Sequence, residues 1–186
     1  MRHSLSSFAD IVGFADPASG RLTNAGARSA IIILAQDGET GRAFQLDEWA
    51  KRCSTDELTD KIFELQGKWR CQRFGVEASA QQSLYVDSLI REANIRKLRI
   101  AIVPINQPTN QTKEFRITST LQRWIHPGLL FINKNCKETI KEVSRYPYTQ
   151  DGICDVADAL ASCCLMLRDP YANRRKIKVE NLRFDN

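Results

Sequence analysis

The feature that most constrains the fold of this sequence is an apolar run over residues 8–15 that ends in Asp16 and Pro17. A strand places successive side chains on opposite faces of a sheet, and open α/β sheets carry their functional groups at the carboxyl ends of strands. The run therefore predicts a first strand that ends at Asp16, and Asp16 is the first candidate functional residue.

Acidic residues recur in two comparable places. A second short strand is predicted over residues 73–76 and ends in Glu77. On the predicted last helix, Asp151, Asp155 and Asp158 follow at spacings of four and three residues, which put them on one face. Divalent hard cations bind carboxylate oxygens, here supplied by different elements. The three places together predict a site for Mg²⁺ or Mn²⁺.

Each acid also has a structural interpretation. Asp16 before Pro17 could begin a turn, and Asp151 is well placed to cap the last helix. Asp155 and Asp158 could form an exposed face of that helix, opposite its apolar residues. The joint pattern of acids at two strand ends and on one helix, in this chain order, favours the metal site.

The rest of the pattern predicts an α/β fold. Residues 28–36 and 42–49 follow the first strand as two more strands of an antiparallel meander. The later elements are helices at 55–69, 81–94, 113–124 and 136–145, strands at 73–77 and 98–104, and the acidic last helix. We therefore predict a ribonuclease H-like domain with a central mixed five-stranded sheet, an antiparallel meander followed by parallel strands, flanked by helices.

Composition limits the class of protein. A chain of 186 residues, 42% of them hydrophobic, is long enough for one domain, which we assign to residues 8–170, with a loose stretch at 1–7 and a basic tail at 171–186. The net charge of +5 permits a polyanionic partner. The six cysteines show no CxxC spacing, which favours reduced core thiols over zinc. No apolar stretch approaches the ~18 residues of a membrane helix, so a soluble intracellular protein is expected.

Four short motifs occur in order along the chain. They are Val12-Gly13-Phe14-Ala15-Asp16-Pro17-Ala18, Phe74-Gly75-Val76-Glu77-Ala78 followed by Gln81-Gln82, Lys113-Glu114-Phe115-Arg116, and Asp155-Val156-Ala157-Asp158-Ala159-Leu160-Ala161. In this order they resemble the C-terminal nuclease domain of tailed-phage terminase large subunits, over residues 8–167.

The resemblance implies an endonuclease that uses two ions, Mg²⁺ or Mn²⁺, to cut concatemeric viral DNA at the start and end of genome packaging. By position, Asp16 would bridge both ions and Glu77 would hold one. Asp155 and Asp158 both match the place of the last acid, whereas Asp151 matches less well and is assigned as a cap.

The resemblance also implies partners. These are double-stranded DNA, a packaging ATPase domain, a small terminase subunit and a portal, in the cytoplasm of the host cell and without a membrane. The sequence contains no G-x-x-x-x-G-K-[ST] stretch, so no ATP hydrolysis is assigned to it. We expect either an isolated nuclease domain, monomeric on its own, or another protein on the same fold.

Five basic residues would then bind DNA: Arg21, Arg28, Lys113, Arg116 and Arg123. Contacts to phosphates position the backbone without reading bases, so weak sequence specificity and strong salt dependence are expected.

Two other functions stay open on the sequence. A junction resolvase or transposase-like nuclease of the same fold would use similar acids. A non-catalytic module would dock DNA or a partner through its basic surface, and it predicts no metal binding and unaltered DNA affinity when Asp16 is replaced.

Overall fold

The computed structural model describes residues 8–18, 28–78, 83–145, 154–169 and 171. The strands of this part of the chain are β1 (Phe8–Asp16), β2 (Ser29–Asp37), β3 (Ala43–Lys51), β4 (Arg73–Glu77), β5 (Ile102–Ile105) and β6 (Leu130–Ile132). Its helices are α1 (Thr55–Trp69), α2 (Ser83–Ile95), α3 (Lys113–Ile125), α4 (Lys137–Val143) and α5 (Asp155–Met166). None of these helices combines the length and the hydropathy that a bilayer-spanning segment requires.

The strands form one mixed sheet in the order β5-β4-β1-β2-β3-β6. β2 pairs antiparallel with both β1 and β3, which confirms the predicted meander. β4 runs parallel to β1, and β5 runs parallel to β4. The α/β class and the mixed sheet are therefore as predicted.

The predicted count of five strands is wrong, because residues 130–132 form a sixth strand. β6 lies parallel to β3, with Ala43 opposite Leu130 and Gln45 opposite Ile132. The ring of Phe131 stacks on that of Phe44, with centroids 5.1 Å apart. Three residues show no periodicity of their own, so this strand depends on a partner that is distant in sequence.

The fifth strand is also shorter than predicted, because it begins at Ile102 and not at residue 98. Lys97 has a φ of 55°, and the Leu98 N–H donates to the Ala93 carbonyl at 2.9 Å, so the chain closes α2 here before it enters the sheet. α4 is likewise shorter than the predicted 136–145. The predicted ends of the domain, residues 1–7 and the tail after Tyr171, lie outside the described residues.

Two hydrophobic layers cover the sheet. Ile32 and Leu34 of β2 pack in the layer that contains α3 and α5. Ile31 and Ile33 pack in the opposite layer, with α1 and α2. A strand buried on both faces has a continuous apolar sequence, which explains why β2 shows no alternation.

The pairing of β1 with β4 brings two acidic strand ends together. Ala15 lies opposite Val76 in a parallel register, so Asp16 and Glu77 follow at the same edge of the sheet. α5 packs on β1 and β2 and brings its first turn to this edge. The fold therefore joins three acidic segments that are far apart in sequence.

Candidate metal centre

Asp16, Glu77 and Asp158 form a cluster of carboxylates at the carboxyl end of β1 and β4. One oxygen from each side chain lies within 4.8 Å of the other two. Asp16 and Glu77 are half-buried, and Asp158 is buried, with 3% of its surface exposed. Like charges this close repel one another strongly outside bulk water. The cluster is the arrangement that a divalent cation would stabilise.

Two basic side chains of α3 contact Asp158. Nη2 of Arg116 lies 2.8 Å from Oδ1 and donates to Oδ2 at 3.1 Å. Nζ of Lys113 lies 3.1 Å from Oδ2. Arg116 is itself buried, whereas the side chain of Lys113 is 45% exposed. Arg116 therefore fixes Asp158 from inside the protein, and Lys113 neutralises it from the solvent side.

The electrostatics of the cluster follow from burial and crowding. Burial raises the pKa of Asp16 well above its ordinary value, and repulsion from Glu77 and Asp158 raises it further. Burial lowers the pKa of Lys113, but the attraction and hydrogen bond of Asp158, together with the attraction of Asp16 and other neighbours, outweigh this effect, and the net pKa is raised. Without another cation, the protein holds a proton on Asp16 more tightly than an exposed carboxyl would.

The donor set fits a divalent hard cation. All three side chains offer carboxylate oxygens, which are the ligands that Mg²⁺ and Mn²⁺ prefer. Within the described residues, Oδ1 of Asp158 is buried and accepts no hydrogen bond, because Arg116 lies close but outside hydrogen-bond geometry. Because Nη2 of Arg116 lies 2.8 Å from Oδ1, a metal ion bound to this oxygen would share it with the guanidinium.

Comparison with known proteins gives a fold but no sequence family. No family model and no curated protein matches the chain. Among solved structures, it matches the large terminase nuclease domain of bacteriophage SPP1 with bound Mn, at 16% identity and a TM-score of 0.59, over 86% of this chain and 85% of that one. It matches the P22 large terminase nuclease domain at 14% identity and a TM-score of 0.57, over 90% and 87% of the two chains.

A third match is the large terminase subunit of bacteriophage Sf6 with calcium, at 11% identity and a TM-score of 0.55, over 85% of this chain and 89% of that one. At these identities the likeness concerns the fold. The chain has the ribonuclease H-like fold. The solved structures that it matches include nuclease domains of terminase large subunits, the family that the sequence resembles.

Asp155 lies beside the cluster of this ribonuclease H-like domain, but not in it. Its Oδ2 accepts a hydrogen bond from the Arg28 backbone N–H at 3.0 Å, and Arg28 Nε lies 3.9 Å away. Its Oδ1 lies 4.0 Å from Lys113 Nζ. The structure thus separates the two acids that the sequence left equivalent. Asp151 lies outside the described residues.

The candidate DNA-binding residues occupy different environments. The Arg28 guanidinium contacts Glu138 at 2.9 Å and Glu142 at 2.7 Å, and Arg116 is buried against Asp158. Lys113 is accessible beside the cluster. The side chain of Arg123 is 58% exposed and lies 3.2 Å from Asp169. Arg21 lies outside the described residues.

Two polar residues of the site were not predicted from the sequence. Gln107, in the loop after β5, donates to Ser162 Oγ at 2.9 Å and lies 3.5 Å from Glu77 Oε2. Ser162 also lies 3.4 Å from Nη1 of Arg116. Gln107 follows a parallel strand at the same sheet edge as Glu77, and that position was the available signal. Ser162 lies one helical turn after Asp158, and this spacing is a weaker signal.

Proposed function

We propose that this chain is a divalent-metal-dependent endonuclease that hydrolyses phosphodiester bonds of double-stranded DNA. The observation that carries the proposal is the convergence of Asp16, Glu77 and Asp158 within 4.8 Å. The cluster stands at the sheet edge where open α/β folds carry out their chemistry. The solved nuclease domains of the same fold, with Mn in the SPP1 protein and calcium in the Sf6 protein, support it.

Each residue of the site has a separate task in this proposal. Asp16, Glu77 and Asp158 would hold Mg²⁺ or Mn²⁺, and we propose two ions. Arg116 keeps Asp158 oriented, and Gln107, which donates to Ser162, lies 3.5 Å from Glu77. When bound, such ions would supply activation of a water nucleophile and stabilisation of the departing oxygen. Asp155 contributes indirectly, because it holds the first residue before β2.

DNA contacts in this proposal come from the accessible cations. Lys113 lies next to the carboxylates, where it offsets their repulsion of a phosphate, and Arg123 lies further along the same helix. Arg28 and Arg116 are engaged with carboxylates, and their positions favour a role inside the protein. Binding through phosphates predicts weak sequence specificity and a steep loss of affinity with salt.

The biological role that we propose is cleavage of concatemeric viral DNA during genome packaging. This step rests on the likeness to the terminase nuclease domains. It adds a packaging ATPase domain, a small terminase subunit and a portal as proposed partners in the host cytoplasm. A junction resolvase would use the same chemistry on a branched substrate, so the choice of DNA substrate separates the two roles.

The test is cleavage of supercoiled plasmid by the purified protein with Mn²⁺, with Mg²⁺ and with EDTA. Asp16→Asn, Glu77→Gln and Asp158→Asn change charge but little volume, and we expect each to abolish metal-dependent nicking. Asp60→Asn is the matched control, because Asp60 is a surface acid that pairs with Arg96. Its nicking should equal that of the wild-type protein.

Two results would contradict the proposal. The first is cleavage that persists in EDTA or in all three variants, since the activity then belongs to a contaminant or another site. The second is the absence of cleavage together with a melting temperature that no divalent ion raises. That result favours the non-catalytic docking module. A four-way junction offered beside the plasmid tests the resolvase alternative.

A further inference from the structure

Within the described residues, the side chain before the helix that carries Asp158 does not cap it. The residue before α5, Cys154, makes no side-chain hydrogen bond to the first turn. The backbone N–H groups of Val156 and Ala157 instead donate to Oε2 of Glu142, at 3.0 and 2.9 Å. Asp158 follows directly, and its N–H makes a bond within the helix, to the Cys154 carbonyl at 2.9 Å. Glu142 of α4 therefore caps α5 from outside.

Glu142 is buried, and both of its carboxylate oxygens accept hydrogen bonds. Its side chain is 7% exposed, and Oε1 accepts from Nη2 of Arg28 at 2.7 Å. A buried carboxylate is costly unless it is hydrogen-bonded and compensated by charge. Here two helix amides and one guanidinium supply that compensation. The arrangement is specific, because each oxygen has its own donors.

The first turn of α4 is also capped by a glutamate from another element. Glu48 of β3 accepts from the N–H groups of Glu138 and Thr139, at 2.9 and 2.8 Å. Thr139 Oγ1 also donates to Glu48, at 2.6 Å. The sheet thus fixes α4 through one glutamate, and α4 fixes α5 through another. The start of α5 is tied to the sheet by these contacts as well as by apolar packing.

We infer that Glu142 and Arg28 are positioning residues that set the place of Asp158 in the carboxylate cluster. This inference rests on the proposed function, because the cluster must bind a metal for the position of Asp158 to matter. Residues that orient metal ligands change metal affinity by about 10- to 100-fold when they are removed. Among the described residues, neither Glu142 nor Arg28 contacts a carboxylate oxygen of the cluster, so their effect on Asp158 passes through α5.

The experiment compares Glu142→Ala with Glu142→Gln, using Glu138→Ala as the matched control. Glu138 lies on the same helix and contacts the same arginine, but its side chain makes no described contact with α5. The Glu142→Gln variant retains one side-chain oxygen to accept from the two amides, whereas its amide nitrogen cannot accept from Arg28, so the cap is kept while the ion pair is lost. Two quantities are measured: hydrogen exchange of the Val156 and Ala157 amides by NMR, and Mn²⁺ affinity by electron paramagnetic resonance. Circular dichroism first establishes that each variant is folded.

We expect Glu142→Ala to speed exchange of both amides and to weaken Mn²⁺ binding by about tenfold. The glutamine variant should restore most of both, and the Glu138 control should match the wild-type protein. Unchanged exchange in Glu142→Ala would overturn the inference, and so would faster exchange with unchanged Mn²⁺ affinity, because capping would then be structural only. A wild-type protein that binds no Mn²⁺ and does not cut DNA would instead overturn the proposed function, and the inference with it.

Discussion

Replacement of Asp16 by asparagine should stabilise the metal-free protein. The Asp16 oxygen lies within 4.8 Å of oxygens of both Glu77 and Asp158. At that distance, two unit charges repel by about 3.5 kcal/mol at an effective dielectric constant of ~20 and by about 0.9 kcal/mol in water. Lys113 offsets part of this repulsion. We expect a net gain of about 1 to 2 kcal/mol in the free energy of unfolding, or roughly 3 to 6 °C in melting temperature.

The gain should depend on pH in a defined direction. The pKa of Asp16 is raised well above 3.8 in the folded protein, by burial first and by Glu77 second. Below pH 3.8 the Asp16 carboxyl is protonated in both the folded and the unfolded protein, so its ionisation does not lower the free energy of unfolding. Above it, the folded protein retains a proton that the unfolded chain has released, so wild-type stability falls as pH rises toward the folded pKa. The advantage of Asp16→Asn should therefore be larger at about pH 8 than at about pH 5.

The assay is thermal unfolding in EDTA at both pH values, repeated with Mn²⁺. Mn²⁺ should raise the melting temperature of the wild-type protein and reverse the order of the two proteins, because ligand binding stabilises only the form that binds. Asp155→Asn is the control, since Asp155 accepts a hydrogen bond from Arg28 and its removal should not stabilise the protein. A lower melting temperature for Asp16→Asn in EDTA at the higher pH, or an equal gain at both pH values, would refute the reasoning.

Three further predictions concern the surroundings of the cluster. Arg116→Met should destabilise the metal-free protein by about 3 kcal/mol in denaturant unfolding, because it leaves the buried Asp158 carboxylate with less compensation, and Mn²⁺ should recover part of this loss. Gly75→Ala should destabilise by about 1 to 3 kcal/mol, since its Cβ would lie 2.8 Å from Cδ2 of the fully buried Phe14 ring and 2.5 Å from Met166 Sδ. Gly67→Ala, with open space around it, should be neutral or stabilising. Mn²⁺ affinity measured by titration should rise with pH, because binding displaces a proton held at Asp16; a flat profile would contradict this.

The strand-end acids could be predicted from the sequence because their signal is local. Each stands directly after an apolar strand, and parallel strands bring such ends to one sheet edge. The sequence could not show which helix acid joins the cluster, because Asp155 and Asp158 are three residues apart and lie on the same helix face. Their difference comes from Arg28 and Arg116, which approach from other elements.

The same limit applies to the arginines and to β6. A sequence shows that Arg116 is basic and lies on a helix, but its burial against Asp158 is a contact between residues 42 apart. The sixth strand is three residues long and exists through its register with β3. The glutamate caps Glu48 and Glu142 likewise join separate elements, and no spacing rule within one helix reveals them.

The central claim is that Asp16, Glu77 and Asp158 form a divalent metal site. The most direct measurement is anomalous diffraction from crystals of the protein grown with MnCl₂. The account predicts a Mn²⁺ peak coordinated by oxygens of these three side chains, and loss of that peak in Asp16→Asn. An ordered cluster without a peak at a saturating Mn²⁺ concentration, or a peak bound by Asp155 in place of Asp158, would contradict it.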